Sequence, residues 1–229
     1  MTLVGRIPLH LLDWLYAAAG EVEHLIRPGA VGHYAHGTLD PVLLLPGVYE
    51  TWEFLRPVAD RLAALGHPIH VVPGFGHNSA TIPTQAGLAL AYLAEHDLER
   101  VILMAHSKGG LIGKHMMVRG DGSGRISRLI AVNTPFGGSP YARWAPGHTL
   151  REFAAGGTTL STLALELTAN SRIASVYSAD DPLLPGGCEL AGAVNVELPL
   201  VGHFRLLSSE LLFETVESLL GHPVEEPRR

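Results

Sequence analysis

Between Val101 and Met117 the chain changes from one periodicity to another with almost no room for a turn. Val101-Ile102-Leu103-Met104-Ala105 is an apolar, β-branched run of the kind that forms a buried parallel strand. His106, Ser107 and Lys108 follow, and Gly109 leads into an amphipathic stretch, Leu111-Ile112 through Met116-Met117, that reads as helix. A strand and helix joined this closely exclude large side chains, and Ala105 and Gly109, two positions either side of Ser107, are small. Such a turn strains its central residue and lifts that side chain into a cleft. The same five residues also suit an ordinary strand-to-helix turn with Ser at the N-cap. What decides between them lies downstream.

A serine hydroxyl becomes a nucleophile only when an imidazole within hydrogen-bond reach takes its proton, with a carboxylate to fix the ring. Both partner types follow. Val176-Tyr177-Ser178-Ala179 reads as a short strand running into Asp180-Asp181-Pro182, and Val194 to Leu200 as a second strand followed by Val201-Gly202-His203-Phe204. The order is therefore Ser, Asp, His, each at the end of a strand. If the acidic loop is extended, Asp180 and Asp181 point to opposite sides.

With these residues, together with Leu45-Pro46-Gly47-Val48 and Asn133-Thr134-Pro135-Phe136-Gly137-Gly138-Ser139, the chain resembles the α/β-hydrolases from about Pro41 to Leu220. Within them it is similar to small lipases and esterases with an Ala-x-Ser-x-Gly elbow. The resemblance implies a mostly parallel, twisted sheet of about six strands with helices on both faces and little or no cap. It implies Ser107, Asp181 and His203 as a catalytic triad, with Asp181 favoured over Asp180 because Pro185 follows it four residues later. It maps two backbone oxyanion donors onto Val48 and Lys108. Where similar chains commonly have His-Gly, this one has Pro46-Gly47, which keeps the backbone donor and loses a side chain. The implied activity is cleavage of carboxylic esters through an acyl-enzyme, without cofactor or metal. Thioesterase, amidase or acyltransferase chemistry on the same triad, or a ligand receptor without catalysis, are the alternatives.

Apolar strands alternate with helical patterns along the chain, as in parallel βαβ construction. Strands are expected over 41–45, 69–72, 128–132, 172–177 and 194–198 in addition to the run from Val101. Helices are expected over 51–65, closed by Gly66, and over 84–95 and 208–220. The 229 residues suit a single domain, 1–229, with an N-terminal helical segment over 1–35. In that segment Leu11, Leu12, Leu15 and Tyr16 form one face, expected to pack over the sheet. An insertion over 136–170 carries Tyr141, Trp144, Phe153 and a helical stripe of Leu160, Leu163, Ala164 and Leu167. Insertions this long usually have a function, and this one reads as a lid or pocket wall. Phe75, in Pro73-Gly74-Phe75-Gly76, together with Phe136 and Trp144, is expected to contact substrate.

The formal net charge of −6 and the lack of a basic stripe argue against a nucleic-acid partner. The expected partner is a small acyl ester. Cys188 is the only cysteine, so no intrachain disulfide is possible. No apolar segment reaches the roughly 20 residues that span a bilayer, and the N-terminus is a poor secretory signal, so a cytoplasmic enzyme is expected. His33/His36 and His67/His70 are spaced i, i+3, but no metal motif accompanies them. The Lys108 side chain reads as a solvated cation, and His106 as a residue packed beneath the turn.

Overall fold

A computed structural model describes residues 13, 15, 16, 34–142, 148–154 and 156–221. Strands β1 (Val42–Leu45), β2 (Ile69–Val71), β3 (Val101–His106), β4 (Ile126–Val132), β5 (Ile173–Asp180) and β6 (Val194–Val201) form one sheet. The order is β2-β1-β3-β4-β5-β6 and every pairing is parallel. This is the open, six-stranded architecture expected.

Strand periodicity divides the core between the two faces. Leu43, Leu45, Leu103, Ala105, Leu129 and Ala131 point to one side, where they meet helices α2 (Ile82–Glu95) and α3 (Lys108–Arg119). Val42, Leu44, Ile102, Met104, Ile130 and Val132 point to the other, toward α1 (Arg56–Ala64) and α6 (Glu210–Leu220). A strand covered on both faces needs apolar residues at every position, hence the continuous run over 101–105. Each fully buried Leu or Ile there contributes about 1.5–3 kcal/mol.

Helix boundaries depart from expectation where proline and capping chemistry intervene. Helix α2 begins two residues early, because Thr81 accepts the Thr84 N–H and Pro83 fits the first turn. The expected helix over 51–65 is a 3₁₀ turn, Trp52–Leu55, followed by α1 with Pro57 in its first turn. Ser209 caps α6 by accepting the Leu212 N–H, and Gly221, at φ 81°, ends it.

The insertion contains α4 (His148–Arg151) and α5 (Thr158–Leu165). Only half of its expected apolar stripe is buried: Leu160 and Leu163 are, whereas Ala164 is exposed and Leu167 lies beyond the end of α5. Phe153 packs into the core and Tyr141 is exposed. Trp144 lies outside the described residues. So does most of the N-terminal segment, but Leu15 is exposed while Asp13 is buried. Leu15 thus departs from the packing expected of its face, whereas Leu11 and Leu12 lie outside the described residues, and Asp13 is buried by the hydrogen bonding described below. No helix among the described residues is long and apolar enough to cross a membrane.

The chain leaves β1 for β2 on one side and returns to β3 on the other. The carboxyl ends of β1 and β3 therefore flank the crevice where open α/β sheets bind ligands. The loop Pro46–Glu50 and the turn at Ser107 meet there. A Cβ on Gly109 would lie 1.9 Å from the Leu45 carbonyl oxygen, and one on Gly110 2.1 Å from Thr134 Oγ1. The small residues are thus required by β1 and by the segment after β4. Gly109→Ala should destabilise the fold by about 1–3 kcal/mol through overpacking. Gly122→Ala, with open space around it, should stay within about 0.5 kcal/mol. Urea denaturation of both checks this, and equal stabilities would contradict the close approach.

Candidate active site

Ser107 has φ 49° and ψ −118°, a backbone conformation rare outside glycine. Such a residue costs about 1–3 kcal/mol and persists only when its surroundings fix it. Here the Ser107 N–H donates to the Val132 carbonyl at 2.8 Å, and Thr134 Oγ1 donates to the Ser107 carbonyl at 3.0 Å. The serine is 9% exposed, while Ala105 and His106 before it are fully buried. Its Oγ makes no hydrogen bond among the described residues.

Of the two aspartates after β5, Asp181 faces His203. Its Oδ2 is 2.6 Å from His203 Nδ1, with both side chains buried. Its Oδ1 accepts the Leu183 N–H at 2.9 Å, an aspartate turn that fixes the carboxylate. One residue thus both caps its loop and pairs with His203. Asp180 is half-exposed, and its carbonyl accepts the Gly202 N–H at 2.9 Å.

The His203 backbone is held at both ends. Asp13 accepts three N–H groups, from His203, Phe204 and Arg205, each at 2.8 Å. Gly202 is needed there, because a Cβ would lie 2.5 Å from Asp13 Oδ1. Asn133 Nδ2 donates to the His203 carbonyl at 2.9 Å, and Asn133 Oδ1 accepts the Ser178 N–H at 2.9 Å. The same carbonyl lies 3.1 Å from His106 Nε2. The His106 and His203 ring centroids are 4.8 Å apart. The residue next to Ser107 and the end of β6 are thereby in direct contact.

On the other side of Ser107 is the turn Pro46-Gly47-Val48. The Gly47 N–H donates to Glu50 Oε2 at 2.7 Å. A Cβ on Gly47 would lie 2.3 Å from Glu50 Oε1, so the glycine makes room for this carboxylate. Asn78 Nδ2 donates to the Pro46 carbonyl at 2.7 Å. The N–H groups of Val48 and Lys108 donate to no protein acceptor among the described residues, and Lys108 begins α3, where backbone N–H groups are unpaired.

Lys108 is not the solvated cation expected. Its side chain is fully buried, with Nζ donating to the Asn78 carbonyl at 2.8 Å and also to the Ala80 carbonyl. Burial lowers its pKa to about 8, opposed by attraction from Glu152. Glu152, from the insertion, also accepts the Ile82 N–H at 3.2 Å at the start of α2. Local sequence pattern signalled none of Glu50, Asp13, Asn78 or Glu152, because each acts across a long sequence separation or through a loop.

Phe75 and Phe136 are both buried. Phe75 lines a cleft of about 770 Å³ with Pro46, Trp52, Leu88 and Tyr92, whereas Phe136 lines a separate cleft of about 180 Å³ with Leu111 and Lys114. Ser107 lines neither.

No protein-family model matches the sequence, and no curated protein aligns with it significantly. Solved structures do match in fold. The Bacillus licheniformis lipase BlEst2 in its mature form superposes with a TM-score of 0.66 at 16% identity, covering 81% of this chain and 92% of that one. A structure from the metagenome-derived lipolytic enzymes LipS and LipT gives 0.60 at 14%, covering 81% and 94%. The enol-lactonase of Burkholderia xenovorans gives 0.57 at 19%, covering 81% and 93%. The chain has the α/β-hydrolase fold.

The buried Lys108 makes stability depend on pH. Its folded pKa of about 8 lies below the ordinary 10.5. Between those values the folded chain binds fewer protons at this site than the unfolded chain, so its contribution rises with pH. The stability difference between the wild type and Lys108→Met should therefore grow in favour of the wild type from about pH 8 to pH 10. Urea midpoints at both pH values test this, and a constant difference would place the ammonium in water.

Proposed function

We propose that the protein is a serine hydrolase that cleaves carboxylic esters through an acyl-enzyme, with a small acyl ester as substrate. The observation that carries this reading is the buried 2.6 Å contact between Asp181 and His203, with His203 packed against His106, the residue before a serine in a strained strand-to-helix turn. Solved structures of lipases and a lactonase with the same fold support it.

Asp181 holds Nδ1–H of His203, leaving Nε2 free to act as base. Ser107 Oγ attacks the acyl carbon as His203 takes its proton, and a tetrahedral intermediate forms. The unpaired Val48 and Lys108 N–H groups stabilise the oxyanion, each such donor supplying about 3 kcal/mol. Because the Gly47 N–H is already engaged by Glu50, Val48 is the donor this turn has to offer. The intermediate collapses as the protonated His203 passes its proton to the leaving alcohol. Water activated by the same imidazole then releases the acid. The separation of Ser107 Oγ from a hydrogen-bond partner is compatible with this scheme, since such contacts often tighten only when substrate binds.

Ser107→Ala should abolish fluorophosphonate labelling and lower nitrophenyl-ester turnover by about 10⁶-fold. Asp181→Asn should cost about 10⁴ in kcat, whereas Asp180→Asn should change it less than about threefold. Near-normal turnover by Ser107→Ala would refute the mechanism, and equal losses at the two aspartates would refute the choice of Asp181. A wild type that binds apolar esters without labelling or turnover would be a receptor instead.

A further inference from the structure

His106 contacts both halves of the site, yet the mechanism above gives it no role. It is the last residue of β3 and fully buried. Its Nδ1 lies 2.8 and 2.9 Å from the two Glu50 carboxylate oxygens, and its Nε2 lies 3.1 Å from the His203 carbonyl. Glu50 itself is 3% exposed and also takes the Gly47 N–H.

The partners fix the protons. A carbonyl oxygen only accepts, so Nε2 must carry hydrogen. Opposite Nδ1 stands a carboxylate that also receives a backbone N–H, an arrangement suited to its ionised, purely accepting form. Nδ1 then carries hydrogen as well, and the ring is an imidazolium. The charged and titratable groups facing it are Glu50 from the turn after β1, Asp181 from the loop after β5, and His203 from the loop after β6. Burial by itself would lower the His106 pKa. Attraction and hydrogen bonding from Glu50, the His203 carbonyl and the Asp181 charge outweigh it, and the pKa is raised.

We propose that His106, held as an imidazolium by Glu50, is a positioning residue that locks the Gly47–Val48 turn to the loop carrying His203. This rests on the esterase reading for its catalytic consequence, though not for its charge state. Glu50 holds the Gly47 peptide, and with it the orientation of Val48, while His106 holds the His203 peptide. Because Ser107 is bonded to His106, the distances among hydroxyl, imidazole and oxyanion donor are set through one buried ion pair. A displacement of about 1 Å in such a site costs about a hundredfold in rate.

The test combines ring NMR with kinetics on the full chain. In ¹⁵N-histidine-labelled protein, His106 should show two protonated nitrogens throughout about pH 5 to pH 8. In Glu50→Gln it should lose one proton within that range. Glu50→Gln and His106→Gln should each lower kcat for a nitrophenyl ester by about 10- to 100-fold, with KM changed less than about threefold. The double variant should be no worse than either single one, since both break the same connection. Glu50→Asp should recover part of the loss, and it serves as the charge-retaining variant if Glu50→Gln does not fold. A neutral His106 ring at pH 7 in the wild type, or an unchanged kcat in folded Glu50→Gln, would overturn the proposal. If the wild type neither turns over esters nor reacts with fluorophosphonate, the esterase reading fails, and the positioning role fails with it. The NMR result would still decide the ion pair.

Discussion

Strand β3 gives way to helix α3 across a single residue, and that residue, Ser107, occupies backbone space that side chains usually avoid. The constraint behind this is contact between α3 and its neighbours. Gly109 sits where any Cβ would strike the Leu45 carbonyl, and Gly110 where one would strike Thr134. With α3 drawn that close, its first turn lies directly across the ends of β1 and β4. The strain at Ser107 is the consequence, and the core that α3 makes through Leu111, Ile112 and Met116 is what holds it. The strand order then decides what the turn faces. The reversal between β1 and β3 leaves an opening at their carboxyl ends, and the loop after β1 is the nearest backbone to it.

Around that opening the chain buries an unusual set of ionisable groups: Asp13, Glu50, His106, Lys108, Asp181 and His203. Buried ion pairs seldom add net stability over apolar residues of the same size, because desolvation offsets their attraction. Their value here is geometric. Asp13 gathers three successive N–H groups at the end of β6. Lys108 draws two carbonyls of the loop after β2 toward the start of α3. Each group fixes a loop that has little regular structure of its own, and a partly satisfied network would leave those loops free.

The sequence made the sheet legible because buried parallel strands and amphipathic helices have distinct periods, and each of the six strands lies where the apolar runs placed it. Ser107, the acidic loop and His203 were legible because each sits at a strand end. The Pro185 spacing already favoured Asp181 over Asp180, and it is the Asp181 carboxylate that lies against His203. Lys108 misled for a local reason: beside Ser107 at the start of a helix, a lysine looks solvent-facing, and only the carbonyls of Asn78 and Ala80, about thirty residues away, bury it. Asp13 carried no local signal for a like reason, since its partners lie 190 to 192 residues further along. Helical periodicity overstated the insertion too, because α5 stops at Leu165 and leaves Leu167 exposed.

Two carboxylate–imidazole pairs stand side by side in this site, and their second nitrogens separate them. Both Asp181–His203 and Glu50–His106 place Nδ1 against a carboxylate. The Nε2 of His106 ends on a backbone carbonyl, which needs a proton there at all times and so denies that nitrogen any part in proton transfer. His203 has no protein partner at Nε2 among the described residues, the nitrogen to which the proposed mechanism assigns the role of base. Under the proposed mechanism, the presence of one carbonyl divides like chemistry into a fixed pair and a working pair. That carbonyl belongs to His203 itself, so the proposed base is anchored by the imidazole that takes no part in the proposed proton transfer.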